Sequence, residues 1–160
     1  MKEYVLGFAF DENEYYVALI EKKRPKWQAG KLNGIGGHLE KGETTVSAMV
    51  REFKEETGYE TIEAQWIEFT RMKFPEIIVH CFYTHLPIKV IIKGLKTITD
   101  ERIISTAVID VPARNFFILN LKWLIPMAMV HQKEPYMRID TIHLKDIQAT
   151  SPVNLPSWVD

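Results

Sequence analysis

Three glutamates lie within five residues near the end of a predicted helix, in the stretch REFKEETG. Glu52 is three residues from Glu55 and four from Glu56, so their carboxylates fall on one side of the helix. Like charges at this spacing destabilise a helix by roughly 0.2–0.5 kcal/mol per pair. Negative charge close to a helix C-terminus also opposes the helix dipole. A helix that carries both costs needs a compensating partner for its carboxylates.

This helix has recognisable ends and one apolar stripe. We expect it to begin at Thr44 or Thr45, whose side chains can cap it, and to end near Thr57, before Gly58. At about 100° per residue, the glutamates fall on the arc next to a stripe formed by Val46, Met49, Val50 and Phe53. Carboxylate oxygens beside a buried face suit Mg²⁺. The alternative is a solvated acidic face.

Strand patterns dominate the rest of the chain, covering residues 3–10, 15–23, 32–37, 64–74, 76–86, 90–93, 102–111 and 136–144. The first two predict a hairpin, a basic loop at 22–31 follows it, and 90–93 extends or follows the strand before it. A second helix is predicted at 119–132, where Pro126 predicts a kink or a late start. An extended tail is predicted at 151–160. Interleaved strands and helices predict a mixed α/β (α+β) domain.

Length and composition indicate one globular domain over residues 1–160. The net charge of −1 argues against a long nucleic acid or an anionic membrane as partner. No stretch has the length or layout of a membrane span or signal peptide. Cys81 is the single cysteine, in an apolar strand pattern, which excludes an internal disulfide. We therefore expect a cytoplasmic protein, and the sequence does not specify an oligomeric state.

The segment GHLEKGETTVSAMVREFKEETGY, residues 37–59, resembles the signature of the Nudix hydrolases. Its seven fixed positions match at the right spacing: Gly37, Glu43, Arg51, Glu52, Glu55, Glu56 and Gly58. Phe53 and Tyr59 are aromatic where the family usually has aliphatic residues, a difference that affects packing more than chemistry. The resemblance implies the Nudix fold, a mixed β-sheet sandwiched between helices.

The resemblance also implies a role for each residue. Glu52 and Glu56 would hold the divalent metal, with Glu55 contributing directly or through water. The backbone carbonyl of Gly36 or Gly37 often adds a ligand in the family. Arg51 would pair with Glu43 and fix the loop against the helix. The implied cofactor is Mg²⁺, with Mn²⁺ as a substitute, and the implied reaction is hydrolysis of a phosphoanhydride in a nucleotide.

Residues 22–37 further resemble MutT-type nucleoside triphosphatases, including those that act on oxidised purine nucleotides. The matching positions imply that Lys23 and Asn33 line the nucleotide pocket, although Asn33 also reads as a turn residue before Gly34. Glu101 matches an additional acidic residue near the metal, and its alternative is an exposed loop carboxylate. Phe117 falls where a tryptophan stacks on the base, and its alternative is a core residue.

The chain departs from this pattern where two adjacent aspartates read the base. Leu119 and Asn120 stand there instead, and only Asn120 can form a hydrogen bond with its side chain. Because polar sites discriminate only when their polar groups are present, the departure weakens any preference for oxidised guanine.

The leading hypothesis is therefore a Mg²⁺-dependent nucleoside triphosphate pyrophosphohydrolase acting on a small nucleotide. The first alternative keeps the chemistry and takes ADP-ribose, a dinucleoside polyphosphate or capped RNA as substrate. The second is a nucleotide-sensing Nudix module without turnover. Such modules commonly lack one of the glutamates, whereas Glu52, Glu55 and Glu56 are all present.

Overall fold

The computed structural model describes residues 1–112, 117–118, 120–137 and 139–144 of the 160-residue chain. Its strands are β1 (Lys2–Asp11), β2 (Tyr16–Glu21), β3 (Leu32–Asn33), β4 (Ile67–Lys73), β5 (Ile77–Leu86), β6 (Arg102–Ala107) and β7 (Ile142–His143). Its α-helices are α1 (Thr45–Thr57) and α2 (Leu121–Lys133). All of these strands belong to one sheet.

The sheet is mixed because its two longest strands are parallel neighbours. β1 pairs with β5 in parallel from Lys2↔Ile77 to Asp11↔Leu86. β2 pairs antiparallel with β1, and β4 pairs antiparallel with β5. The order is β3-β2-β1-β5-β4-β7, and β6 pairs antiparallel with β2. This confirms the predicted mixed sheet.

The two faces of the sheet carry separate apolar cores. Leu6, Phe8 and Phe10 of β1 belong to the core that includes the buried side of α2. Val5 and Ala9 of the same strand belong to the core that includes the buried side of α1. Alternate residues of a strand point to opposite faces, so β1 contributes to both cores. The sheet is therefore sandwiched between the two helices, as predicted.

The glycine-rich segment that precedes α1 crosses from β2 to β1. Asn33 pairs with Ile20 of β2, and the Val5 N–H of β1 then donates to the Gly37 carbonyl at 2.9 Å. A Cβ added at Gly36 would lie 2.0 Å from the Val5 carbonyl oxygen. Only glycine permits this approach, which holds the segment against β1 at the base of α1.

Helix α1 begins and ends where the sequence predicts. Thr44 caps its N-terminus by accepting a hydrogen bond from the Ser47 N–H at 3.1 Å. Gly58 ends it in a left-handed conformation, with φ 69°, and its N–H donates to the Lys54 carbonyl. The start and end of α1 therefore follow from local sequence chemistry.

Several predicted strands are wrong in type or length. Residues 90–93 lie in a short helical turn, Val90–Gly94, whose first N–H donates to the Pro87 carbonyl. The strand predicted at 64–74 begins only at Ile67, after a 3-10 turn, and the one at 102–111 ends at Ala107. Among the described residues of 136–144, Ile142 and His143 alone pair with β4, because alternation by itself provides no pairing partner.

The second helix begins two residues later than predicted, and Pro126 lies inside it. It begins at Leu121 and continues through Pro126 to Lys133. Pro126 lies on the exposed side of the helix. Because proline has no N–H, the helical hydrogen bond from residue 126 to the Lys122 carbonyl is missing, and the other hydrogen bonds of the first turns can form. Across the part of the chain that is described, no helix is long and apolar enough to cross a bilayer. The predicted tail at 151–160 lies outside the described residues.

Candidate active site

Arg51 donates hydrogen bonds through all five of its N–H groups. Nε and Nη2 donate to the two carboxylate oxygens of Glu43 at 2.7 and 3.0 Å. Nη1 donates to Glu52 Oε1 at 2.8 Å and to Glu55 Oε2 at 3.1 Å. Nη2 also donates to the His38 carbonyl at 3.0 Å. Arg51 thus joins the loop before α1 to two of the three glutamates.

Glu52 lies against the backbone of Gly37. A Cβ added at Gly37 would lie 2.4 Å from Glu52 Oε1, so this position accommodates the carboxylate only as glycine. The side chain of Glu52 is 12% exposed. Burial raises the pKa of Glu52 above its usual value, with Arg51 acting in the opposite direction. The structure therefore gives Glu52 a confined and poorly solvated carboxylate.

Glu56 faces a different set of groups from Glu52. The Thr99 hydroxyl donates to Glu56 Oε2 at 3.0 Å. Burial raises the pKa of Glu56, and the negative charge of Glu101 raises it further. The Thr99 hydrogen bond and the positive charge of Lys22 lower it by less. Glu55 is exposed, and it accepts a hydrogen bond from Arg51. The three glutamates thus share one helix but have three distinct surroundings.

Glu101 is buried, with 6% of its surface exposed, rather than lying free in a loop. Its Oε2 accepts a hydrogen bond from the Lys22 ammonium at 2.5 Å, and its Oε1 accepts from the Lys23 N–H at 2.7 Å. The Arg24 N–H lies 3.4 Å from the same Oε1. Glu101 therefore connects the basic loop after β2 to the start of β6.

A cleft of about 480 Å³ opens between these two segments. It is lined by Lys22, Arg24, Pro25, Glu56, Thr99, Asp100 and Glu101. The cleft brings together two acidic residues singled out from the sequence, Glu56 and Glu101. Sequence reasoning missed Thr99, for which no signal exists beyond its closeness to Glu101, and treated Lys22 only as one member of a basic cluster.

The sequence profile of the NUDIX domain matches residues 2–103, which include β1 to β5, α1 and every residue that lines this cleft. The chain belongs to the NUDIX domain family. Nudix hydrolases are in general pyrophosphohydrolases that use divalent metal ions and act on small nucleotide substrates. The comparison with curated proteins finds no sequence match.

Solved structures of MutT and Nudix proteins share the fold of this Nudix chain. A MutT structure from work on Aliivibrio salmonicida and Vibrio cholerae matches with a TM-score of 0.64 at 19% identity, over 80% of this chain and 97% of that one. A MutT protein from Methanosarcina mazei matches with 0.64 at 16% identity, over 83% and 96%. A mutT/nudix family protein from Listeria innocua matches with 0.63 at 18%, over 84% and 96%. At such identities the likeness establishes the fold.

The donor chemistry of this Nudix site fits a hard divalent cation. Glu52, Glu55 and Glu56 offer carboxylate oxygens, which Mg²⁺ and Mn²⁺ prefer. Gly37 leaves the space beside Glu52 free of any Cβ. Among the residues the structure describes, no three acidic, histidine or cysteine side chains form a ready-made cluster. Arg51 and Thr99 hold these carboxylates instead, so a cation would compete with them.

The predicted base-contacting residues lie in different places. Asn33 is buried, and its amide contacts the Gln28 side chain at 3.4 Å and accepts from the Gly34 N–H at 2.8 Å. These contacts hold the Asn33 side chain to the loop before β3 and to Gly34. The Lys23 side chain is exposed. Its backbone N–H donates to Glu101, which lines the first cleft.

Phe117 and Asn120 lie across the sheet from the glutamates. Phe117 is 3% exposed, bridges to Leu32, and belongs to the core on the α2 side. It also lines a second cleft of about 370 Å³. The Asn120 amide nitrogen lies 3.8 Å from the Met72 sulfur, and its buried oxygen has no partner among the described residues. The structure does not bring these two residues to the α1 site, and Leu119 lies outside the described residues.

Proposed function

We propose that this Nudix protein is a Mg²⁺-dependent nucleoside triphosphate pyrophosphohydrolase that releases a nucleoside monophosphate and pyrophosphate. The observation that carries the proposal is the cleft in which Glu56 meets the cations Lys22 and Arg24. A polyphosphate chain needs cationic groups along its length and carboxylates that can hold a divalent ion. This cleft supplies both next to the Nudix helix.

The residues would divide the work as follows. Arg51 holds Glu43 and Glu52 in place, so that the loop and helix present one preorganised surface. Glu52 and Glu56 have raised pKa values through burial, which makes either a better proton acceptor than an exposed glutamate. When bound by Glu52, Glu55, Glu56 and a Gly36 or Gly37 carbonyl, Mg²⁺ would supply charge neutralisation and activation of water.

Recognition of the base forms the finer part of the proposal. Asn120 has a buried carbonyl oxygen without a described partner, which can accept a hydrogen bond from a ligand. Phe117 provides an aromatic surface at a cleft on the same side of the sheet. We propose Lys23, Asn33, Phe117 and Asn120 as substrate contacts, with an oxidised purine nucleotide as one substrate to test.

The decisive experiment is a phosphate-release assay with Mg²⁺, run with and without inorganic pyrophosphatase. The panel contains normal and oxidised nucleoside triphosphates, ADP-ribose and diadenosine polyphosphates. Phosphate that appears from triphosphates only with the coupling enzyme establishes cleavage between the α and β phosphates. Glu52→Gln protein purified in parallel controls for contaminating phosphatases.

The other outcomes separate the alternatives. Turnover of ADP-ribose or a dinucleotide without turnover of triphosphates retains the catalytic helix and rejects the triphosphate assignment. An absence of turnover with every substrate, together with nucleotide binding, rejects the enzyme and supports a sensing module.

A further inference from the structure

Glu101 is held by a donor set of the kind that binds phosphate. Its carboxylate contacts the Lys22 ammonium and two consecutive backbone N–H groups, those of Lys23 and Arg24. An ammonium combined with adjacent backbone N–H groups is a recurrent arrangement for phosphate oxygens. A carboxylate and a phosphate present similar oxygens to such donors, so the same donors can bind either anion.

The location of this donor set matters as much as its chemistry. Lys22, Arg24 and Glu101 line the cleft that also contains Glu56. Both cations of the cleft are already paired with acidic residues of the loop before β6: Lys22 with Glu101, and the Arg24 guanidinium with Asp100 at 2.9 Å. The Arg24–Asp100 pair is exposed, with side chains 73% and 49% accessible, so it contributes little. The Lys22–Glu101 pair is 19% and 8% accessible.

We infer that the Lys22 ammonium and the Lys23 and Arg24 N–H groups form a phosphate-binding site that the Glu101 carboxylate occupies until substrate displaces it. Substrate phosphate and Glu101 then exclude each other. The inference rests on the proposed function for the identity of the anion as part of a polyphosphate. The site itself is defined by the observed donors.

Displacement of Glu101 has a consequence for Glu56. The Thr99 hydroxyl donates to Glu56 and accepts from the Glu101 N–H at 3.2 Å, so Thr99 links the Glu56 carboxylate to the Glu101 backbone. The negative charge of Glu101 already acts on Glu56, and release from Lys22 leaves that charge without its partner. Phosphate binding and divalent-cation binding should therefore strengthen each other, and by equal factors.

The test measures pyrophosphate binding in EDTA by titration calorimetry, with four proteins: wild type, Glu101→Gln, Lys22→Gln and the double variant. Glu101→Gln replaces a charged acceptor with a neutral one and should raise affinity roughly tenfold. Lys22→Gln removes the charged donor and should lower affinity by about the same factor. In the Lys22→Gln background, the added Glu101→Gln change should raise affinity by a clearly smaller factor, because Glu101 then competes with phosphate only for the two backbone N–H groups.

Asp100→Asn is the matched control, because it removes one negative charge from the same cleft without releasing Lys22. An equal gain in Asp100→Asn, or a gain from Glu101→Gln that is undiminished in the Lys22→Gln background, would indicate simple repulsion and overturn the inference. No change or a loss of affinity in a folded Glu101→Gln protein would overturn it too.

If Glu101→Gln does not fold, amide NMR of the wild-type protein decides. Saturating pyrophosphate should shift the Lys23 and Arg24 amide signals but not that of Gly42, which lies in an exposed turn. Unmoved Lys23 and Arg24 signals reject the site. All of these measurements omit Mg²⁺ and turnover, so their failure is distinguishable from failure of the proposed hydrolysis.

Discussion

Two kinds of glutamate occur around Arg51, and their surroundings shift their pKa values in opposite directions. The Arg51 hydrogen bond holds the pKa of Glu43 below its usual value, against a smaller effect of burial. Burial raises the pKa of Glu52, which Arg51 contacts through one oxygen. The Glu43 carboxylate therefore has its charge balanced by Arg51 at both oxygens, whereas the second oxygen of Glu52 can still bind another positive charge.

Glu52→Gln and Glu56→Gln should each retain the fold and lower hydrolysis by at least about 10²-fold, because each removes a charge proposed to hold the metal or accept a proton. Turnover and a thermal melt of each variant test this. Glu60→Gln is the control, since Glu60 is exposed and contacts Lys54. Unchanged turnover in both variants would remove the metal-site assignment.

Gly37→Ala and Gly36→Ala should fail in different ways. At Gly37 a new Cβ meets the end of the Glu52 side chain, which can move, so activity should fall while the fold remains. At Gly36 it would lie 2.0 Å from the Val5 carbonyl in the sheet, so stability itself should fall. Urea unfolding combined with the turnover assay separates the two. Equal losses of stability would contradict the proposed difference.

At the scale of elements, α1 and the loop before it act as one unit through Arg51. The loop segment from His38 to Glu43 contributes a carbonyl and a carboxylate, and α1 contributes Glu52 and Glu55. The guanidinium, 22% exposed, lies between them. Its planar shape meets all of these acceptors at once, which a flexible ammonium cannot do.

Arg51→Lys should therefore lower stability by about 1–3 kcal/mol, as expected when partly buried acceptors such as Glu43 and Glu52 lose charged donors. It should also reduce turnover, because the loop and Glu52 lose their shared support. Chemical denaturation and kcat measure the two effects. Lys54→Gln, which breaks the exposed Lys54–Glu60 pair, serves as the control and should change stability little. A stable and fully active Arg51→Lys protein would contradict this role.

At the scale of the whole molecule, an ionic cluster joins three strands of the sheet. His80 of β5 contacts Glu3 of β1 through Nε2 at 2.8 Å and Glu68 of β4 through Nδ1 at 3.0 Å. Arg71 donates to the same Glu68 oxygen at 2.5 Å. Since both ring nitrogens face carboxylates, the doubly protonated imidazolium satisfies the cluster best.

The cluster should make stability depend on pH. Burial lowers the pKa of His80, but the hydrogen bonds that the ring donates to Glu68 and Glu3 outweigh it and raise the pKa above 6.5. This stabilisation is present below pH 6.5 and is lost as pH rises through the folded-state pKa. Burial raises the pKa of Glu68, but the hydrogen bonds and charges of His80 and Arg71 have the larger effect, so the pKa lies below 4.5. That stabilisation is lost only as pH falls through the folded-state value.

Thermal melts of wild type and His80→Gln test this dependence. The difference in Tm should be largest between pH 4.5 and 6.5, where both contributions are present, and should shrink as the pH rises through the raised pKa of His80 and the ring loses its proton. A difference that stays constant across this range would contradict the charged state of His80.

The sequence by itself determined the features that depend on near neighbours in the chain. Thr44 and Gly58 set the ends of α1 because capping is a contact over three or four residues. The placement of Glu52 and Glu56 on one side of α1 follows from helical periodicity alone. The Nudix signature covers these same residues, which is why family and fold class were predictable.

The tertiary structure alone decided the contacts between distant segments. Lys22 meets Glu101 across 79 positions, and Thr99 meets Glu56 across 43. The sheet also separates Phe117 from the glutamates. Of the described residues in the predicted strand 136–144, Ile142 and His143 alone found a neighbouring strand to pair with. Periodicity describes which side of an element a residue occupies. Which loop lies opposite depends on how the two cores pack, and that free energy is distributed over the whole chain.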